Sequence, residues 1–284
     1  MDFINGYSLY QNEPNTIAPN ARVYFKTFHF ETNNPFKERI VRVYIPSTYD
    51  FSNPEKRFPV LYMFDGKNLF DDYTSFTGEL HVDESIEDLI SRGLTDGVIV
   101  VGIDAPNKNI DRTLEMTPSG LENIFDVLPE IGYAHLLADF VFNNVKKDID
   151  STFYTLSEKE HTGVGGSSMG GLMSFYIGIQ YKEQIDYCLN FSPAFFLFKW
   201  KSFEKFLDDN YSPELPKQYF FVGGVGFEAQ FVKATFKTHQ YFLDHGFNKH
   251  MAMIHDENKE HNEVAWGEYF EDAISEMSDD IKKE

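Results

Sequence analysis

Between residues 58 and 256 the chain alternates short, continuous apolar runs with longer stretches of helical period, and that alternation constrains the fold more than any other feature. Phe58 to Phe64, Gly97 to Ile103, His161 to Gly166, and residues 187 to 191, 218 to 223 and 250 to 255 read as strands. Asp83 to Arg92, Leu136 to Phe153, and residues 169 to 182, 229 to 244 and 263 to 277 read as helices. Strands that are apolar on both faces must be covered on both, so the pattern calls for a mostly parallel sheet flanked by helices. Ahead of it, Arg22 to Glu31 and Glu38 to Tyr49 flank an Asn33-Asn34-Pro35 turn and read as an antiparallel hairpin at one edge. Residues 1 to 20 are polar and read as a loosely held arm. No repeat, low-complexity tract or linker interrupts the chain, so residues 1 to 284 are expected to form a single domain.

Charge and cysteine usage remove whole classes of function. A formal net charge of −20 argues against nucleic acid and against anionic membrane surfaces, both of which need clustered Lys and Arg. The single cysteine, Cys188, rules out an intramolecular disulfide framework and a Cys-based zinc site, and its apolar neighbours suggest a buried strand thiol. The first residues lack the basic and apolar regions of a signal peptide, and no run approaches 18 apolar residues. A cytoplasmic protein is expected, with a homodimer left open.

In a parallel sheet, sites form at the carboxyl ends of the strands, here the loops starting near residues 65, 104, 167, 192, 224 and 256. Gly166-Ser167-Ser168-Met169-Gly170 fits G-x-S-x-G and places Ser168 at the nucleophile position. The glycines suit a strained strand-to-helix turn, and the helix end offers free N–H groups where an oxyanion would develop. Such a serine needs a base, and the base an orienting carboxylate, following it in the order acid then histidine. His261 opens the last helix and is the expected base, with His255 its rival. Glu228, the one carboxylate in the loop after residues 218 to 223, is the expected acid, with Asp244 and Asp256 behind it. The main-chain N–H groups of Met169 and Lys67 are the expected oxyanion donors. These elements together read as an α/β-hydrolase fold: a mostly parallel central sheet with an antiparallel N-terminal edge and helices on both faces.

Four segments resemble the putative esterase family: Asp65 to Phe70, Arg112-Thr113 through Thr117-Pro118, Gly166 to Gly171, and His261-Asn262-Glu263 with Trp266. That family includes esterase D, enterochelin esterase, feruloyl and acetylxylan esterases and the mycolyltransferase antigens. The resemblance, strongest to the enterochelin-esterase-like branch, implies a Ser168, Glu228, His261 triad with donors at Lys67 and Met169. Arg112 matches a recurrent arginine of that branch, which implies either a substrate contact or a structural ion pair, and Asn68 is expected as a substrate contact. One departure is Val225-Gly226-Phe227-Glu228, where members of that branch often carry a Gly-Thr-Lys-Glu-like run.

The expected activity is cleavage of small-acyl or aryl carboxylic esters, with a small-molecule ester as the only partner and no cofactor or metal. Siderophore trilactone hydrolysis, acyl transfer and a noncatalytic binding module are the alternatives. Gly224-x-Gly226-x-x-Ala229 fits a relaxed dinucleotide fingerprint but lacks the acid at the next strand tip. His250, His255 and His261 are spaced like no usual metal ligand set. Charges on the loops expected to form the cleft nearly cancel, with Arg112 the basic residue pointing inward, so neutral esters are expected to be preferred over polyanions.

Overall fold

The computed structural model describes residues 3–30, 35–124 and 132–282. Ten strands form one sheet: β1 (Phe3–Ile4), β2 (Tyr7–Leu9), β3 (Arg22–His29), β4 (Glu38–Ile45), β5 (Val60–Phe64), β6 (Ile99–Ile103), β7 (Thr162–Ser167), β8 (Tyr187–Phe191), β9 (Lys217–Gly223) and β10 (Met251–Asp256). Their order is β1-β2-β3-β4-β6-β5-β7-β8-β9-β10. The pairings from β6 to β10 are parallel, and those from β1 through β4 to β6 are antiparallel. This is the expected α/β-hydrolase arrangement. The expected turn residues Asn33 and Asn34 lie outside the described residues.

Both faces of the sheet are covered. Along β5, Val60, Tyr62 and Phe64 enter one apolar core, and Leu61 and Met63 enter the other. The first core is closed by Ala134–Phe140, Met169–Gln180, Trp200–Asn210 and Ala229–Asp244, the second by Val82–Ser91 and Phe270–Met277. A strand buried on both sides has no polar face to show, which is why these segments read as unbroken apolar runs.

Three expectations are corrected in detail. The polar arm is part of the sheet: Ser8 pairs with Phe25 and Leu9 with Tyr24, so the hairpin is not at the edge. An unpaired β3 would expose a row of backbone donors and acceptors, and the arm covers those at Val23 to Phe25. The helix over 136 to 153 contains a wider turn at Val141–Val145 between Ala134–Phe140 and Lys146–Thr152, and the final helix is two, Glu263–Gly267 and Phe270–Met277. Helices Asn109–Met116 and Trp200–Asn210 occupy stretches where no element was expected. Among the described residues, no helix is long and apolar enough to cross a membrane.

The order of the central strands locates the site. From β5 the chain crosses to β6 on one side, while β7 lies on the other. Loops leaving β5 and β7 therefore diverge above a crevice at their carboxyl ends, the usual binding position in such sheets.

Candidate active site

Ser168 stands between β7 and the helix Met169–Gln180 with φ 59° and ψ −116°, a backbone conformation that costs energy for any residue but glycine. The turn is held by Ser168 N–H donating to Phe191 O at 2.8 Å and by Ala194 N–H donating to Ser168 O at 3.2 Å. A Cβ on Gly166 would lie 2.6 Å from the Gly170 carbonyl carbon, and one on Gly171 would lie 2.7 Å from Phe191 O. The turn is that tight, so side chains at these positions are excluded.

Three side chains distant in sequence meet here. His261 Nε2 lies 2.9 Å from Ser168 Oγ, and its Nδ1 is hydrogen-bonded to Glu228 Oε2. Glu228 is fully buried. Its other oxygen accepts Gly223 N–H at 2.7 Å and the Ser192 hydroxyl, whose oxygen in turn accepts Trp266 Nε1–H at 2.8 Å. With Oε1 already accepting two hydrogen bonds, Oε2 is the oxygen that faces the imidazole N–H. Rings enclose the imidazole as well: Phe231 stacks on it at 4.3 Å, while Trp266 and Phe227 stand edge-on at 4.8 Å and 5.3 Å.

Glycines bring the histidine loop close enough. A Cβ on Gly223 would fall 2.4 Å from Lys259 O, and Gly224 and Val225 both donate their N–H groups to that oxygen at 3.0 Å. Gly224, the first glycine of the pattern that imitates a dinucleotide fingerprint, thus serves the packing of residues 257–262 over β9, since a Cβ there would lie 2.9 Å from Glu257 Cα. The rival residues lie apart from Ser168. Asp256 accepts the Tyr269 hydroxyl at 2.7 Å, and that bond, with Asn258 N–H, holds its carboxyl below the usual range. Asp244 bonds Gln240 at 2.8 Å, and His255 packs edge-on to Phe236. His250 pairs with Glu276, so the three C-terminal histidines do not converge.

Above Ser168 opens a cleft of about 630 Å³ whose lining includes Asp65, Lys67, Asn68, Phe76, Arg112, His261, Glu263 and Trp266. Gly66 lets the turn after β5 press against the sheet, since a Cβ there would lie 2.8 Å from the Gly102 carbonyl carbon. Lys67 and Asn68 follow in a single tight turn, Gly66–Asn68. Met169 begins the helix after Ser168, where first-turn N–H groups have no partner within the helix.

Arg112 clamps Asp65 with two hydrogen bonds of 2.6 Å. Burial alone would pull the guanidinium down, but the charge and hydrogen bonds of Asp65 raise it, so it stays cationic. Asn68 donates to Glu263 at 2.8 Å and accepts Phe76 N–H at 3.1 Å, so both ends of its amide are engaged in holding the cleft wall. Glu263 also accepts the Thr77 hydroxyl at 2.6 Å.

Two expectations about the wall change. Arg112 is not the single basic residue there, because the Lys67 side chain also lines the cleft and donates to Asn107 at 2.9 Å. Residues 192 to 200 were expected to form a wall, and residues 74–77 occupy that role instead. Ser192 was missed as part of the site. A lone serine after a strand carries no pattern, although its positive φ of 44° marks it in the structure.

The model of the family described as putative esterase matches residues 32–273. Among solved structures, a ferulic acid esterase aligns with a TM-score of 0.67 at 15% identity, covering 92% of this chain and 100% of that one. An IroE-like serine hydrolase from Shewanella oneidensis aligns at 0.66 and 17%, covering 88% of this chain and 78% of that one. The siderophore hydrolase EstA from Aspergillus nidulans aligns at 0.65 and 17%, covering 88% and 92%. At such identities the likeness is one of fold.

Proposed function

Because the chain belongs to the putative esterase family, we propose that it cleaves carboxylic esters through a covalent acyl-enzyme on Ser168. One observation carries the reading: Ser168 Oγ, His261 and Glu228 form an unbroken hydrogen-bonded line at the floor of an open cleft. In the proposed reaction Ser168 Oγ attacks the ester carbonyl as His261 Nε2 takes its proton. Glu228 holds the Nδ1–H and stabilises the imidazolium. The N–H groups of Met169 and Lys67 receive the carbonyl oxygen as it becomes anionic. Collapse of the tetrahedral intermediate expels the alcohol, which leaves with the proton from Nε2. Water then repeats the sequence in reverse, releasing the acid and restoring the serine.

Ser168→Ala should lower kcat by roughly six orders of magnitude, as loss of the nucleophile does in enzymes of this type. A fluorophosphonate probe should label the wild type at Ser168 and leave the alanine variant unlabelled. An unlabelled wild type would instead favour a noncatalytic binding module.

Charge in the cleft supports neutral substrates. Asp65 and Arg112 cancel, which leaves Lys67 opposite Glu263. The volume suits an aryl or short acyl ester, and Phe76, 82% exposed at the rim, offers a ring face to it. Neutral p-nitrophenyl and feruloyl esters should therefore exceed a catecholate trilactone in kcat/KM at both low and high salt. A trilactone preference of tenfold or more, collapsing with Arg112→Ala, would assign a siderophore esterase instead.

A further inference from the structure

Away from the cleft floor, the segment Glu79 to Glu84 gathers three carboxylates and an imidazole beneath the N-terminal arm. One ligand atom each from Glu79, His81 and Glu84 lies within 4.8 Å of the other two. His81 Nδ1 stands 3.1 Å from Glu84 Oε1 and 3.6 Å from Glu79 Oε2. Asp83 lies against the carboxyl of Glu84.

Acidic clusters on surfaces are commonplace and need no ligand. Here two of the acids are buried, and Glu84 is partly exposed. The side chains of Glu79 and Asp83 are 0% exposed. Each has one oxygen held: Thr16 Oγ1 donates to Glu79 Oε2 at 2.6 Å, and Ala18 N–H to Asp83 Oδ2 at 2.8 Å. Glu79 Oε1 is buried without a hydrogen-bond partner, while the Asp83 and Glu84 carboxyls lie within hydrogen-bonding reach of each other. Among the described residues no Lys or Arg pairs with any of the three. The contrast with other buried acids is plain, since Glu115 has Arg39, Asp104 has Arg42 and Asp65 has Arg112. An unpaired buried carboxylate is costly, so it either takes up a proton or is given a counter-charge.

We infer that Glu79, His81 and Glu84 form a binding site for a divalent transition-metal ion, with Asp83 behind them. One imidazole nitrogen among carboxylate oxygens suits Zn²⁺ or Mn²⁺, whereas Ca²⁺ and Mg²⁺ favour oxygen alone. The ion supplies the missing counter-charge among Glu79, His81 and Glu84. It also links residues 16–18 of the arm to the segment whose earlier part, 74–77, walls the cleft. Its role is therefore to fasten the arm and that wall, separate from the chemistry at Ser168.

The test is calorimetric titration of EDTA-stripped, dialysed protein with Zn²⁺, Mn²⁺, Ca²⁺ and Mg²⁺ in turn. Zn²⁺ or Mn²⁺ should bind one equivalent with Kd of about 10 µM or tighter, and Ca²⁺ and Mg²⁺ at least tenfold more weakly. His81→Asn and Glu84→Gln should each weaken binding tenfold or more. Both sites are at least partly exposed, and asparagine tolerates the left-handed backbone of His81 (φ 57°), so each variant should keep the wild-type circular dichroism. His250→Asn, at a surface His–Glu pair, should bind as wild type does. No saturable binding, undiminished binding by His81→Asn, or Ca²⁺ binding as tight as Zn²⁺ would each overturn the inference.

Discussion

Glu228 has its geometry fixed before it meets His261. Gly223 N–H and the Ser192 hydroxyl occupy one of its oxygens, and Trp266 fixes that hydroxyl in turn. Glu228→Gln should lower kcat by roughly 10³ to 10⁴, less than loss of the serine, because its amide can present an N–H to the imidazole and favour the wrong tautomer. Ser192→Ala keeps the charge of Glu228 but loses its bond from the hydroxyl and the acceptor of Trp266 Nε1–H, so kcat should fall about tenfold with little change in KM. Steady-state kinetics of the two variants on one neutral ester check the order, and a Ser192→Ala loss as large as that of Glu228→Gln would contradict it. Ser168, Glu228 and His261 could be grouped from the sequence because a serine, a carboxylate and a histidine follow in that order at the ends of recognisable strands. Ser192 could not, because its role depends on how β8 sits beside β9. Asn68 was legible as a cleft residue, but its engagement with Glu263 depends on a contact spanning most of the chain.

The elements show a similar division. Strands β5, β6, β8 and β9 could be read because burial on both faces leaves a mainly apolar run, and the sheet type followed from the helices between them. Two kinds of element escaped. The strands Phe3–Ile4 and Tyr7–Leu9 are too short to carry a period and exist because β3 needs a neighbour. The helix Trp200–Asn210 does place Trp200, Phe203 and Leu207 at helical spacing, but it begins where the expected cleft loop 192–200 ends, in a stretch for which no element was expected. Close approach between elements is also invisible to periodicity, and Gly223 shows what depends on it. Gly223→Ala puts a methyl 2.4 Å from Lys259 O, so the loop 257–262 must retreat from β9 and carry His261 with it. Overpacking of this kind costs about 1–3 kcal/mol. The variant should therefore melt several degrees lower and lose activity out of proportion to its stability, still folded at 25 °C. Thermal unfolding and turnover measured on the same preparation decide it, and wild-type kcat in a destabilised variant would refute the coupling.

At the scale of the whole molecule, burial and net charge act on stability in the same direction. Burial pushes the Glu115 carboxyl up to about 7 in spite of the Arg39 guanidinium beside it. Burial likewise raises Asp104 against Arg42, and Asp280 against His161. A carboxyl whose pKa is higher folded than unfolded binds its proton more tightly in the native state. Its stabilising contribution is then complete below the ordinary carboxylate range and is lost as pH rises through the folded value. For Glu115 that window runs from about 4.5 up through about 7. Self-repulsion within a chain of net charge −20 also grows as carboxyls ionise. The opposite sign belongs to Asp50, whose carboxyl is held low by Ser52 N–H and the Ser52 hydroxyl, and to Asp256, held low by Tyr269 and Asn258 N–H. Both are solvent-exposed and matter only as pH falls below the ordinary carboxylate range. The melting temperature should accordingly peak between about pH 5 and 6 and fall by roughly 5 °C or more toward pH 8.5, since each kcal/mol moves Tm by roughly 2–4 °C in a chain of this size. Added salt should shrink the part of the fall that comes from surface repulsion and leave the part due to buried Glu115, because buried charges are poorly screened. The measurement is circular-dichroism melting from pH 5 to 8.5 in EDTA-containing buffers at low and high salt. A melting temperature that climbs steadily toward pH 8.5 would mean that these buried carboxyls are already ionised in the folded state and held by their cationic partners.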